Sequence, residues 1–279
     1  MSDVSAMNQG ASSAVSDALA RAKADGRAAL IGYLPVGYPS VEISIDAMRA
    51  LVAGGCDIVE VGIPYSDPVM DGPTIQRATE HAVRAGVGMS DALAAVTAVA
   101  QAGGAAVTMG YWNQVERYGV GRFAADLAAA GGSGAITPDL IPEEAGDWIP
   151  AAQAHELDRI FLVAPSSTDA RIESTAAASR GFLYATALMG VTGARASVGD
   201  AASTLVARVR SLAPQIPVCV GLGVSNGQQA AQVAAFADGV IVGSALVRCL
   251  LDSPDARGVY AVHALAQELA AGTGRVRGG

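Results

Sequence analysis

The stretch Asp57-Ile-Val-Glu-Val-Gly-Ile-Pro-Tyr-Ser-Asp-Pro-Val-Met-Asp-Gly-Pro-Thr-Ile-Gln76 holds, in order, a short apolar run, a Pro/Gly-rich loop and the first turn of a helix. Ile58, Val59, Val61 and Ile63 form the run and Pro64 stops it, the pattern of a strand covered on both faces in a helix-wrapped parallel sheet. Glu60 lies inside it. A carboxylate there is costly unless it is paired, or unless burial raises its pKa and keeps it protonated. Lys or Arg is the usual partner, and the only basic residue touching a candidate strand is Arg159, at the start of its run. An unpaired acid at a strand end, followed by a loop carrying Asp67 and Asp71, is a candidate for proton transfer. The alternative is a structural carboxylate satisfied by backbone N–H groups.

The same strand–loop–helix unit recurs along the chain. Apolar β-type runs fall at Ala28–Leu34, Ile58–Gly62, Ala105–Met109, Gly134–Thr137, Ile160–Ala164, Phe182–Thr186, Val218–Gly221 and Val240–Gly243, eight in all. Amphipathic, alanine-rich stretches between them predict helices at Val41–Ala53, Thr74–Ala85, Ser90–Ala102, Val120–Ala130, Glu143–His155, Asp169–Ser179, Ala201–Ser211 and Gln228–Ala235. Further helices are expected near Ser13–Ala24, Ala245–Leu251 and Val259–Ala271. Eight sequential βα units imply a closed (β/α)8 TIM barrel with an extra N-terminal helix. An open doubly wound sheet is the runner-up, but Gly32-Tyr-Leu-Pro-Val-Gly37 does not fit its Gly-rich turn. The expected division is a disordered arm over 1–12, one barrel domain over 13–271 and a flexible tail over 272–279.

With 279 residues, 51% hydrophobic and 16% charged, the chain is long enough for one such barrel and too apolar for disorder. A net charge of −8 argues against nucleic acid or an anionic membrane as the main partner. Cys56, Cys219 and Cys249 form no CxxC pair and read as buried thiols, which suits a cytoplasmic protein.

Barrel chemistry sits at the C-terminal ends of the strands, where Glu60 and the Pro64–Pro73 loop lie. The turns after the last two runs, Val218-Cys-Val-Gly-Leu-Gly-Val-Ser225 and Gly239-Val-Ile-Val-Gly-Ser-Ala245, are rich in glycine, and a helix starts near Ser244. Backbone N–H groups at Gly223, Gly243 and Ser244 therefore form a candidate phosphate site, and Gly193, in the long loop after the sixth run, could supply a further N–H. Lys23 is the only lysine and precedes the first strand, so Schiff-base chemistry is disfavoured. His81, His155 and His263 share no ligand spacing and no strand end, which disfavours zinc and catalytic triads. Carboxylate acid–base chemistry on a phosphorylated substrate that supplies its own electron sink is what remains.

The motif from Val59 to Gln76 resembles that of the tryptophan synthase alpha subunit family. So do Tyr33-Leu-Pro-Val-Gly-Tyr-Pro39, Met109-Gly-Tyr-Trp-Asn113, Thr137-Pro-Asp-Leu140, Gly190-Val-Thr-Gly193, Gly221-Leu-Gly-Val-Ser225 and Gly243-Ser244. The resemblance implies retro-aldol cleavage of indole-3-glycerol phosphate to indole and glyceraldehyde 3-phosphate. It implies Glu60 as general acid/base and Asp71 as acceptor of the indole N–H. Tyr184 matches the family's active-site tyrosine, Tyr33, Met109 and Leu222 would line the indole pocket, and Thr192 would meet Asp71 on loop closure. Ala187-Leu188-Met189 stands where some members carry Ser-Arg, and Leu222 where others have phenylalanine. No cofactor is expected on this chain, whereas the family's partner is a PLP-dependent beta subunit in an α2β2 tetramer. Tyr38-Pro39, Pro64–Pro68 and the loop after the fourth run would face that partner. A stand-alone lyase releasing free indole shares these motifs, and a non-catalytic activator of a beta subunit is a further alternative.

Overall fold

The computed structural model describes residues 12–186 and 195–274. Its strands are β1 (Ala29–Pro35), β2 (Ile58–Gly62), β3 (Ala105–Met109), β4 (Gly134–Ile136), β5 (Asp158–Ile160), β6 (Leu162–Val163), β7 (Leu183–Thr186), β8 (Val218–Gly221) and β9 (Gly239–Val242). They pair in parallel in the order β5-β4-β3-β2-β1-β9-β8-β7-β6. The two ends of this order, β5 and β6, are halves of one run separated by Phe161. β5 bonds only to β4 and β6 only to β7, so the sheet closes on itself through the continuous chain. The fifth of the eight expected strands is thus split by the stagger that closing a barrel demands, and the (β/α)8 architecture expected from the repeat is present.

Alternation along the strands separates two cores. Side chains such as Val59, Val61, Leu34 and Val240 face the helices in the larger outer cluster. Ile31, Ile58, Val107, Ile136, Phe182 and Ile241 fill the interior. The helix Ala14–Ala24 presents Val15, Ala18, Leu19 and Ala22 to that interior cluster and forms the floor of the barrel. Ser13 caps this helix by accepting from Ser16 N–H, and its hydroxyl donates to Asp158, 145 residues away in sequence. Asp158 is fully buried at the start of β5, with Arg180 3.3 Å away.

Several element boundaries differ from expectation for physical reasons. The helix expected over Glu143–His155 is a 3-10 turn at Pro142–Glu144 followed by a helix at Trp148–Ala154, because Pro150 belongs in a first turn and not in a helix interior. A helix at Trp112–Tyr118 was not expected at all. It is seven residues long, and its first N–H is satisfied by the carboxylate of Asp139, in the loop after β4, at 2.9 Å. The helix expected from Ala201 begins at Arg195. The last helix runs Ala256–Thr273, so Gly272 and Thr273, expected to open a flexible tail, are buried in it. Gly272 is there because a Cβ would come within 2.3 Å of the Gly227 carbonyl, so two helices touch backbone to backbone. No single helix among the described residues is long and apolar enough to cross a membrane.

Candidate active site

Glu60 follows Ile58 by two residues on β2, so the period of the strand that buries Ile58 inside the barrel points Glu60 inward as well. It lies between Tyr33 of β1 and Val107 of β3 in register, and its exposure is 0%. Neither carboxylate oxygen has a hydrogen-bond partner among the described residues. Arg159, the one basic residue expected near a strand, gives its Nε–H to the Ala178 carbonyl at the opposite end of the barrel. Burial alone therefore acts on Glu60 and pushes its carboxyl up to about 8.

Asp71 arrives from the loop after β2. Gly72 is the N-cap of the helix Pro73–Arg84, whose proline sits at the first position, where its missing N–H costs nothing. The Gln76 side chain reaches back to the Asp71 carbonyl at 2.8 Å. Burial pushes the Asp71 carboxyl up to about 6. The hydroxyls of Tyr33 and Tyr184 are both held well above the usual tyrosine range. Burial is the larger cause for each; the charges of Asp71 and Glu60 add to it at Tyr33, and those of Glu60, Cys219 and Asp71 at Tyr184. Two tyrosines that feel both acids place these four side chains in one neighbourhood at the C-terminal mouth.

Small residues make room for the two rings. A Cβ on Gly62 would lie 2.6 Å from the Tyr33 hydroxyl, and one on Gly221 2.7 Å from that of Tyr184. Each tyrosine leans over the glycine at the end of the neighbouring strand. Met109, at the end of β3, is half-buried against the interior cluster, and its carbonyl accepts the Ile63 N–H at 2.8 Å. Leu222, just past β8, is half-buried and packs on the outer cluster. Thr192 and Gly193, like Ala187-Leu188-Met189, lie outside the described residues.

The two glycine-rich turns are not equivalent. Gly223 has φ of 69°, which lets the turn after β8 bend back, but the helix that follows, Gly227–Ala234, is already capped by Asn226 and by the Glu268 carboxylate on Gly227 N–H. The helix Ser244–Asp252 has Gly243 as its N-cap and no side chain capping it, so its first N–H groups remain available to an anion. Gly243 also lies beside Tyr33, with a Cβ there 3.4 Å from the ring.

Sequence reasoning did not single out Tyr111. Its hydroxyl accepts the Met70 N–H at 2.9 Å and its ring stacks on Tyr65 at 4.9 Å, next to Asp71. Lys23 is exposed on the floor helix, His81 is exposed on the helix Pro73–Arg84, and His155 is exposed just past the helix Trp148–Ala154.

Residues 19–273 match the family model described as tryptophan synthase alpha chain. The alpha chain of Thermobifida fusca is 60% identical over 257 residues, covering 91% of this chain and 95% of the relative. That of Mycobacterium intracellulare is 63% identical over 248 residues, with coverage of 89% and 90%. Among solved structures, Mycobacterium tuberculosis tryptophan synthase superposes with a TM-score of 0.88 at 58% identity, covering 96% of this chain and 100% of that one. The tryptophan synthase subunit alpha of Legionella pneumophila superposes with a TM-score of 0.86 at 31% identity, covering 95% and 99%. A barrel of this topology, matched over nine-tenths of its length by these relatives, belongs to the tryptophan synthase alpha chain family.

Proposed function

We propose that this chain cleaves indole-3-glycerol phosphate to indole and glyceraldehyde 3-phosphate at the mouth described above, as a carbon–carbon lyase of tryptophan biosynthesis. The observation that carries the reading is Glu60, a fully buried carboxyl with no partner among the described residues, facing the interior beside Tyr33. A protein tolerates such a group where chemistry uses it. With a carboxyl near 8, Glu60 is protonated at neutral pH and can deliver a proton to indole C3. Asp71, near 6, is then ionised and can accept the indole N–H, stabilising the positive charge that develops on the ring. Protonation at C3 creates an indolenine that takes up the electrons of the breaking C–C bond. Glu60, now a carboxylate, removes the proton from the glycerol hydroxyl as it becomes the aldehyde. One acid set above neutrality and one below it suit these two roles.

Tyr33, Met109, Tyr184 and Leu222 would form the indole pocket. The open N-terminus at Gly243 and Ser244 would hold the phosphate, with Gly223 opposite and Gly193 and Thr192 closing from the loop after β7. The partner would be a beta subunit, in an α2β2 arrangement, that carries PLP and consumes the indole; Lys23, exposed on the floor helix, gives this chain no attachment point at the mouth. A cytoplasmic location fits such a soluble biosynthetic pair. The test is indole release from indole-3-glycerol phosphate by the full-length chain, with and without a beta subunit, for the parent and for Gly243→Val. The expected result is cleavage stimulated by the partner by one to two orders of magnitude, equivalent to ~1–3 kcal/mol of coupling, and a raised KM in the variant. A chain fully active alone and indifferent to partner would mark a stand-alone lyase.

A further inference from the structure

The loop that carries Asp71 has little packing of its own. Val69 is 80% exposed and Met70 43%. What fixes it is a short segment on the neighbouring strand's exit. Tyr111 follows β3 as the N-cap of the helix Trp112–Tyr118 and is itself 6% exposed. Its ring stacks on Tyr65, with planes 27° apart, and its hydroxyl accepts the N–H of Met70, the residue before Asp71. One turn on, the Gln114 side chain donates to the Pro64 carbonyl at 2.7 Å. The segment is anchored in turn from the loop after β4, where the Asp139 carboxylate accepts Trp112 N–H at 2.9 and 3.2 Å. The loop is therefore gripped at its start, at its aromatic and at the residue before the acid, and the Gln76 side chain holds the carbonyl of the acid itself.

We propose that Tyr111 is a positioning residue for the cleavage: by holding the Met70 N–H it fixes the direction in which the Asp71 carboxylate enters the barrel mouth. This rests on the assignment of Asp71 to the reaction. Tyr111 does not touch the reacting atoms. It removes the freedom of the peptide unit from which the Asp71 side chain hangs, and a misplacement of about 1 Å at such a group costs on the order of 10²-fold in rate. The groups that act with Asp71 across the mouth are Tyr33 and Tyr184, and Asp139 bears on Tyr111 from outside.

The experiment compares the full-length parent, Tyr111→Phe, Tyr111→Leu and Asp71→Asn in indole release across pH, with thermal unfolding measured for each. Phenylalanine keeps the ring and its stack but not the acceptor. The expected result is a kcat roughly 10-fold lower for Tyr111→Phe at a KM within about 2-fold of the parent, with a larger loss for Tyr111→Leu. The acidic limb of the rate profile should also move down from about 6, because a released Asp71 gains water and ionises more readily. A residue that only supports the fold would lower the unfolding temperature and leave that limb in place. If Asp71→Asn is costly while Tyr111→Phe matches the parent in kcat and limb, the positioning role is overturned and the site assignment stands. If Asp71→Asn is itself silent, both fall together.

Discussion

Replacing Glu60 by glutamine should destroy cleavage and at the same time stabilise the barrel, by an amount that depends on pH in a calculable way. The Glu60 carboxyl ionises near its ordinary 4.5 in the unfolded chain and near 8 in the folded one. Below about pH 4.5 both states carry the proton and the group has no effect on stability. Between 4.5 and 8 the unfolded chain loses the proton while the folded one keeps it, so ionisation favours unfolding and stability falls as pH rises. At ~1.4 kcal/mol per pH unit, the parent loses about 3 to 4 kcal/mol between pH 5 and 8 through this residue. Glutamine does not titrate and loses none of it. Asp71 and Asp158, both held near 6, also titrate in this range but are common to the two proteins and cancel in the difference. The assay is urea unfolding followed by far-UV circular dichroism for parent and Glu60→Gln at pH 5, 6.5 and 8, beside indole release at the same pH values. The gap between the proteins should widen by about 3 to 4 kcal/mol towards pH 8, and activity should fall at least ~10²-fold. Curves that stay parallel across pH would mean that Glu60 is solvated or paired, and the case for an unpaired buried acid would fail.

In the free chain, kcat/KM for indole-3-glycerol phosphate should be bell-shaped, rising as Asp71 ionises near 6 and falling as Glu60 loses its proton near 8; a profile flat across this range would remove both assignments. Gly62→Ala should place a methyl where the Tyr33 hydroxyl now lies, 2.6 Å away, and the buried ring has to swing off Glu60. Overpacking of this kind costs about 1–3 kcal/mol in stability, and a loss of cleavage together with a lowered unfolding temperature is expected, whereas parent-like values for both would show that the ring is free to move.

Local pattern carried the barrel a long way. The run Ile58–Gly62 with Glu60 inside it, its stop before Pro64 and a helix following the loop were all readable, since each depends on residues within a turn or a strand of one another; the structure sets Glu60 at the middle of the strand and starts the helix at Pro73, one residue before the expected Thr74. Seven of the eight expected runs correspond to single strands, and the expected glycines Gly221 and Gly243 stand at or just past the ends of β8 and β9. The family resemblance pointed to both acids as candidates.

Tertiary structure decided what joins distant segments. Gly272 read as the start of a tail because a helix interior disfavours glycine, yet contact with the Gly227 backbone requires it. The fifth strand split at Phe161 because its halves bond to different neighbours. Asp158 met Ser13 across 145 residues, which closes the floor of the barrel. Only the folded chain separates the capped helix at Gly227 from the open one at Gly243, since the capping carboxylate, Glu268, lies 41 residues away. Tyr111 belongs to the same class, as it reaches Met70 across 41 positions. The sequence by itself determined the βα repeat and an acid inside an apolar strand, because hydrophobic period and turn chemistry are local. Which groups stand around that acid, and what holds its companion Asp71 in place, depends on pairings between strands and loops that no local period encodes.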